Sequence, residues 1–273
     1  MNDIFFGIFK DIKDLYNNSI QVLEMYEGIF SEYYNDCLPI SEYEREFYLN
    51  EAYVCGKDVL ELCCGSGRLT VLFAEKGFNI DGIDLSANML SLLDKRLEKA
   101  PVSVRKRVHC VKGDVFNIEV TDKKYDFIFL SATTICLLME QPVLTHKLFD
   151  DIACLLNPNG SFMFDLRLYD QTYKVFNTEI TCSINSFASE PMLVLYQEFV
   201  NFKPGRSIAN FYIQSEKPGE SMKKYISATN KKIISTTEIE SLIKDSPLEI
   251  SNIEIYKDDM YSIAFYTLKH AQS

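Results

Sequence analysis

Apolar residues recur along this chain in two rhythms that exchange at recognisable points. Ile4, Phe5, Ile8, Phe9, Ile12 and Leu15 fall three and four apart, and Val22, Met25, Tyr26, Ile29, Phe30 and Tyr33 repeat that spacing. Residues 1–50 are therefore expected to hold two or three helices, with Pro39 as an interruption and Ser41 placed to cap a helix over 42–50. From residue 58 short apolar runs alternate with helix-like segments. Strands are expected at 58–63, 79–84, 108–112, 125–130 and 160–166, and helices near 67–76, 86–99 and 141–156. Ser86 precedes Met89, Leu90, Leu93 and Leu97 on one helical face, and Asn157-Pro158-Asn159-Gly160 reads as a turn. Strands and helices alternating at this spacing predict parallel strands joined by right-handed crossovers, hence a doubly wound α/β sheet.

Beyond residue 167 the rhythm shortens to two. Aromatic and β-branched runs at 180–187, 192–202, 207–214 and 223–228 are divided by Lys203-Pro204-Gly205-Arg206 and Lys217-Pro218-Gly219-Glu220, which predicts an antiparallel meander. A helix at 237–244 and strands at 248–256 and 260–269, joined through Lys257-Asp258-Asp259, follow. The expected organisation is an N-terminal helical segment (1–50), a nucleotide-binding core (51–166), an antiparallel β insert (167–230) and a C-terminal completion of the core sheet (231–273).

Composition narrows the partners. With 273 residues, 47% of them apolar, the chain is long enough for one large domain or a domain with an elaborated insert. No apolar run reaches bilayer length, and acids interrupt the apolar amino terminus, so a cytoplasmic protein without a secretory signal is expected. A net charge of −11 with no basic stripe argues against nucleic acid as the partner and suits a cationic or neutral substrate. Eight cysteines lack any C-x-x-C pair and His109, His146 and His270 are scattered, so reduced thiols and no metal site are expected.

The chemistry concentrates between Val59 and Asp84. An apolar run carrying Glu61 passes into Cys63-Cys64-Gly65-Ser66-Gly67, a helix-like segment follows, and a second apolar run closes on Asp84. Gly65 and Gly67 let the backbone turn tightly against a ligand, and an acid at the end of the second strand suits two ribose hydroxyls. No phosphate-gripping Gly-x-x-x-x-Gly-Lys-Ser/Thr string occurs, and Thr70 stands where the dinucleotide fingerprint needs its third glycine or alanine.

Glu61-Leu62-Cys63-Cys64-Gly65-Ser66-Gly67 resembles motif I of class I S-adenosylmethionine-dependent methyltransferases. Asp84 falls where that family keeps its ribose acid, and Gly113-Asp114-Val115 where it keeps its adenine contact. The resemblance implies a Rossmann-like, mostly parallel seven-stranded sheet ending in a reversed hairpin, with an N-terminal helical lid and a β insert after the fifth strand. It implies S-adenosylmethionine as cofactor and S-adenosylhomocysteine as product. Carried over by position, Glu61 holds the turn and the methionine amino group, and Cys63, Gly65 and Gly67 offer backbone to the methionine part. Asp84 takes the ribose, Leu85 and Met89 lie on the adenine, Asp114 and Val115 meet its edge, and Ser131 and Ala132 line the methionine side.

On the substrate side, Tyr33-Tyr34-Asn35-Asp36 resembles the tyrosine segment that many small methyltransferases fold over the cofactor, and Tyr34 reads equally as lid or core. Asp165 ends the fifth strand, where open α/β sheets bind ligands, so its carboxylate is expected either to pair with a substrate ammonium or to cap the following loop. Leu166, Arg167, Tyr169 and Tyr196, with Tyr173 and Phe211, are candidates for a substrate wall. Arg167 suits a substrate carboxylate, Asp165 or Asp170. The implied activity is N-methylation of a small molecule or peptide by a monomer or homodimer; size and insert resemble the plantazolicin-type methyltransferases that dimethylate an amino-terminal arginine. An O-methyltransferase, an NAD-linked oxidoreductase on the same fold and a non-catalytic cofactor-binding protein are the alternatives.

Overall fold

The computed structural model describes residues 4–169, 175–187, 190–215, 221–257 and 262–271. In chain order, α1 (Gly7–Leu15), β1 (Gln21–Val22) and α2 (Gly28–Cys37) precede α3 (Glu42–Cys55). The core then runs β2 (Asp58–Leu62), α4 (Arg68–Glu75), β3 (Asn79–Asp84), α5 (Ala87–Glu98), α6 (Val102–Arg105), β4 (Val108–Lys112), β5 (Tyr125–Leu130), α7 (Ile135–Leu138), α8 (Pro142–Leu155) and β6 (Leu156–Leu168). Next come β7 (Val175–Asn177), β8 (Thr181–Phe187), β9 (Glu190–Asn201), β10 (Arg206–Ser215) and β11 (Lys223–Lys232). The chain closes with α9 (Thr236–Lys244), β12 (Leu248–Lys257) and β13 (Ser262–His270).

Two compact units result. One comprises residues 40–170 with 234–273, the other 1–39 with 171–233. In the first, a seven-stranded sheet has the order β12-β13-β6-β5-β2-β3-β4, parallel from β6 to β4, with β13 antiparallel to both β6 and β12. Its two faces follow strand parity. Leu60, Leu62, Ile128, Leu130, Phe162, Phe164 and Leu166 face α7, α8 and α9; Val59, Phe127, Phe129 and Met163 face α3, α4 and α5. Helices thus cover both faces, as a parallel sheet requires, since a bare face would leave its apolar side chains in water. Among the described residues no helix is long and apolar enough to cross a membrane.

α3 starts where the sequence placed a cap. Ser41 Oγ accepts from the Glu44 N–H and the Glu44 carboxylate accepts from the Ser41 N–H, a reciprocal capping box. The helix runs on to Cys55, and it packs on the seven-stranded sheet rather than with α1 and α2, burying Tyr48, Leu49 and Ala52.

In the second unit, β1-β11-β10-β9-β7 form one sheet, and β8 also pairs with β9. α1 and α2 cover it: Phe5 and Phe9 pack on Tyr212 and Ile226, and Phe30 and Tyr33 on Met192, Val194, Phe211 and Ile213. Helical spacing at Val22 and Met25 is overridden there. Gln21 and Val22 instead extend the sheet in parallel with Tyr225 and Ile226, and the Leu23 N–H donates to Ile226 O at 3.0 Å. The expected turn at Asn157–Gly160 is the irregular start of β6, where Tyr125 pairs with Leu156 but Phe127 with Ser161. Asn159 has no positive φ; the described non-glycine residues that do are Cys63, Ala132 and Thr133. The expected connections at 217–220 and 258–259 lie outside the described residues.

Candidate active site

Parallel strands β2, β3, β4 and β5 end side by side, and the candidate cofactor residues follow those ends. After β2 the backbone takes left-handed φ values at Cys63 (56°), Gly65 (55°) and Gly67 (72°). For Cys63 that conformation costs about 1 kcal/mol. The Cys64 N–H donating to Ile83 O at 3.1 Å and the Gly67 N–H to Cys64 O at 3.0 Å hold the turn in place. A side chain on Gly67 would collide with Leu93 of α5, and a Cβ on Gly65 would lie 3.2 Å from Met89 Cε. Gly67 is therefore required by packing as well as by φ, and Gly65 by its φ.

Asp84 ties this turn to the next strand. Its Oδ2 accepts from the Gly65 N–H at 2.7 Å and its Oδ1 from the Ser86 N–H at 2.8 Å, and each oxygen keeps a second lone pair. Burial pushes its pKa up, while the Ser86 and Gly65 N–H groups oppose the shift. Glu61 lies under the turn, 2% exposed, where Thr70 Oγ1 donates to it at 2.5 Å. Burial pushes the Glu61 carboxyl up to about 8 against the lowering effects of the Thr70 hydroxyl and the Arg68 charge. Thr70 thus has a use the sequence did not disclose: it satisfies the acid beneath the glycine turn.

At the rim, Leu85 is 67% exposed whereas Met89 is buried. Asp114 accepts from the Phe116 N–H at 3.0 Å and from Asn117 Nδ2 at 3.2 Å, so it caps the 3-10 turn Val115–Asn117. Val115 is buried. After β5, Ser131 O accepts from Thr134 Oγ1 at 2.6 Å, and Ala132 and Thr133 take φ values of 58° and 53°. These residues fit a ribonucleoside. Ser66 Oγ is buried in the turn with no hydrogen-bond partner among the described residues, and Leu85 offers a bare apolar surface beside the Asp84 carboxylate.

The substrate residues are arranged otherwise than expected. Asp165 is 2% exposed; its Oδ1 accepts from the Tyr48 hydroxyl at 2.6 Å and its Oδ2 from the Thr133 N–H at 2.7 Å. Its carboxylate is thus held inside the structure by α3 and by the turn after β5. Tyr48 and Thr133 escaped the sequence reading because 117 and 32 positions separate them from Asp165. Leu166 is fully buried on the opposite face among the α8 and α9 contacts, so it is core rather than substrate wall. Arg167 lies over the Tyr169 ring, 4.9 Å from its centroid. Tyr34 and Tyr196 belong to the other unit. Tyr34 packs edge-on to Tyr26 at 5.5 Å, and Tyr196 lies 4.9 Å from Phe211 with its hydroxyl donating to Glu198 at 3.4 Å. Asp170 and Tyr173 lie outside the described residues. Among the described residues no group of three or more His, Cys, Asp or Glu side chains could hold a metal ion.

Residues 59–160 match a family profile described as a methyltransferase domain. YqeM of Bacillus subtilis (strain 168) is 27% identical over 153 residues, 56% of this chain and 59% of that protein. The cypemycin N-terminal methyltransferase of a Streptomyces species is 31% identical over 110 residues, 40% of this chain and 42% of that one. The chain thus spans less than two thirds of the length of these relatives. Among solved structures, the glycopeptide N-methyltransferase MtfA in complex with S-adenosylhomocysteine superposes with a TM-score of 0.64 at 18% identity, over 98% of this chain and 99% of the other. That likeness is one of fold.

Proposed function

We propose that this chain, whose residues 59–160 match a methyltransferase-domain profile, uses S-adenosylmethionine to methylate an amine nitrogen of a small molecule or peptide. The observation that carries the reading is the Asp84 carboxylate, held by the Gly65 and Ser86 N–H groups directly beside a glycine turn. A carboxylate oriented by two backbone donors is preorganised to accept from vicinal hydroxyls without reorganising. Asp84 takes the ribose, Leu85 and Met89 the adenine face, Asp114 and the Val115 N–H its edge. Glu61 supports the turn through Thr70, and Ser131 and Ala132 line the methionine end. The cofactor brings a methyl carbon already activated by its sulfonium. What remains for the protein is to align the nucleophile and keep water away.

Nitrogen rather than oxygen as acceptor is supported by two neighbours that carry N-methyltransferase or N-terminal methyltransferase in their names. The net charge of −11 favours a cationic or neutral substrate over an anionic one. Tyr34 as a lid residue and Arg167, Tyr169 and Tyr196 as substrate contacts belong to this proposal. Calorimetry tests its first half: S-adenosylhomocysteine is expected to bind and NAD not to, and the reverse result removes the reading. Methyl-labelled cofactor incubated with a library of amines, alcohols and peptides tests the second half. Label on oxygen alone would make the protein an O-methyltransferase, and label on nothing a binding protein.

A further inference from the structure

Buried Tyr48 and Asp165, with half-buried Thr133, form a triad that the proposed chemistry does not use. Its hydrogen bonds meet at the turn that leaves β5. Ala132 and Thr133 are consecutive non-glycine residues with left-handed φ, each unfavourable by about 1 kcal/mol, and they form the turn that leaves β5. A tight turn of this kind can aim a backbone N–H at an anion. Here the anion is internal: Asp165 Oδ2 accepts from the Thr133 N–H at 2.7 Å. Register explains the meeting, since β5 and β6 are parallel with Leu130 opposite Phe164, so the residue after Phe164 reaches the residues after Leu130. The second oxygen is held by Tyr48, a fully buried residue of α3, whose hydroxyl lies 2.6 Å from Asp165 Oδ1 and 3.1 Å from Leu130 O. Burial and the Asp165 charge push the Tyr48 phenol well above its usual range, so it remains a donor to the carboxylate.

We propose that Asp165 and Tyr48 are positioning residues that hold the Ser131–Thr134 turn in its left-handed shape and so set the methionine end of the cofactor site. The inference rests on the reading of Ser131 and Ala132 as that wall. It assigns Asp165 a role distinct from a substrate-ammonium partner, and it makes α3 part of the site's construction.

The Tyr48 and Thr133 hydrogen bonds supply the discriminating variant. Asparagine at 165 can accept from the Thr133 N–H with its oxygen while its amide donates to Tyr48, provided the phenol turns its own proton to Leu130 O. Asp165→Asn therefore preserves the anchoring, and Asp165→Ala removes it. Tyr48→Phe loses one oxygen and keeps the ring packed on Phe129 and Phe265, so it carries the test even where the alanine variant does not fold. Hydrogen exchange of the Thr133 amide in cofactor-free protein and calorimetric affinity for S-adenosylhomocysteine are measured on all four proteins. The expected result is exchange at least about 10-fold faster and binding about 10-fold weaker in Asp165→Ala, a smaller shift of both in Tyr48→Phe, and values within about 3-fold of the parent in Asp165→Asn. Unchanged exchange in both Asp165→Ala and Tyr48→Phe overturns the proposal, and so does an equal loss in Asp165→Asn and Asp165→Ala. Exchange that follows the expected order in a parent that binds no S-adenosylhomocysteine upholds the anchoring and removes the cofactor reading instead.

Discussion

Glu61 shows how much one buried side chain can reveal. Its carboxyl is pushed up to about 8 in the folded protein, above the ordinary 4.5, so between those values the folded state holds a proton that the unfolded state has released. Stability is then fully present at low pH and declines as pH rises through that window, with a slope of at most about 1.4 kcal/mol per pH unit for one proton. Thermal melts from pH 5 to 8.5 are expected to show this decline in the parent and a flatter curve in Glu61→Gln, whose amide still accepts from Thr70. Parallel curves for the two would mean that Glu61 is ionised throughout. Gly67→Ala is expected to destabilise by about 2–4 kcal/mol, because its Cβ meets Leu93 and its φ is 72°. An unchanged denaturation midpoint would show that α5 yields without cost. The local members of the site were readable in the sequence, since Glu61, Gly65, Gly67 and Asp84 share one strand-turn-helix-strand unit whose spacing is set by the chain. Thr70, Tyr48 and Thr133 were not, because hydrogen bonds across strands and between helix and sheet leave no periodic signal.

Capping and packing decide different things for the elements. α3 carries Tyr48 to the sheet, and its first turn is secured by the Ser41–Glu44 box. Ser41→Ala is expected to cost about 1 kcal/mol and lower the melting temperature by a few degrees. A larger loss, together with faster Thr133 exchange, would show that the cap also governs the register of Tyr48. The elements readable in advance were those with a clear local pattern: β2, β3, β4, β5, α4, α5 and α8 lie within a residue or two of expectation. Misreadings arose where pairing outweighed periodicity. Gln21–Val22 has helical neighbours yet joins a sheet edge, and Asn157–Gly160 has turn chemistry yet begins β6. A Cβ on Gly160 would lie 2.9 Å from Asp126 O, so this glycine serves close backbone approach, a need that a turn motif does not announce.

At the scale of the molecule, each compact unit draws on two separate lengths of chain. That division could not be read from the order of elements, because the apolar stripes of α1 and α2 carry no mark of which sheet they cover. The insert sheet depends on them: Phe30 is fully buried against Met192, Val194, Phe211 and Ile213. Phe30→Ala is expected to cost about 3–5 kcal/mol and to speed amide exchange across 192–213 far more than across 58–130. Equal acceleration in both segments would show that the two units unfold as one. The seven-stranded sheet has a dependence of its own. β13 lies between β12 and β6, and its Phe265 stands opposite Asp165. Until residues 262–270 have emerged from the ribosome, β6 has an open flank where β13 belongs. A nascent chain paused before that point would display the β6 edge to any extended peptide nearby, because β13 is the strand that covers it.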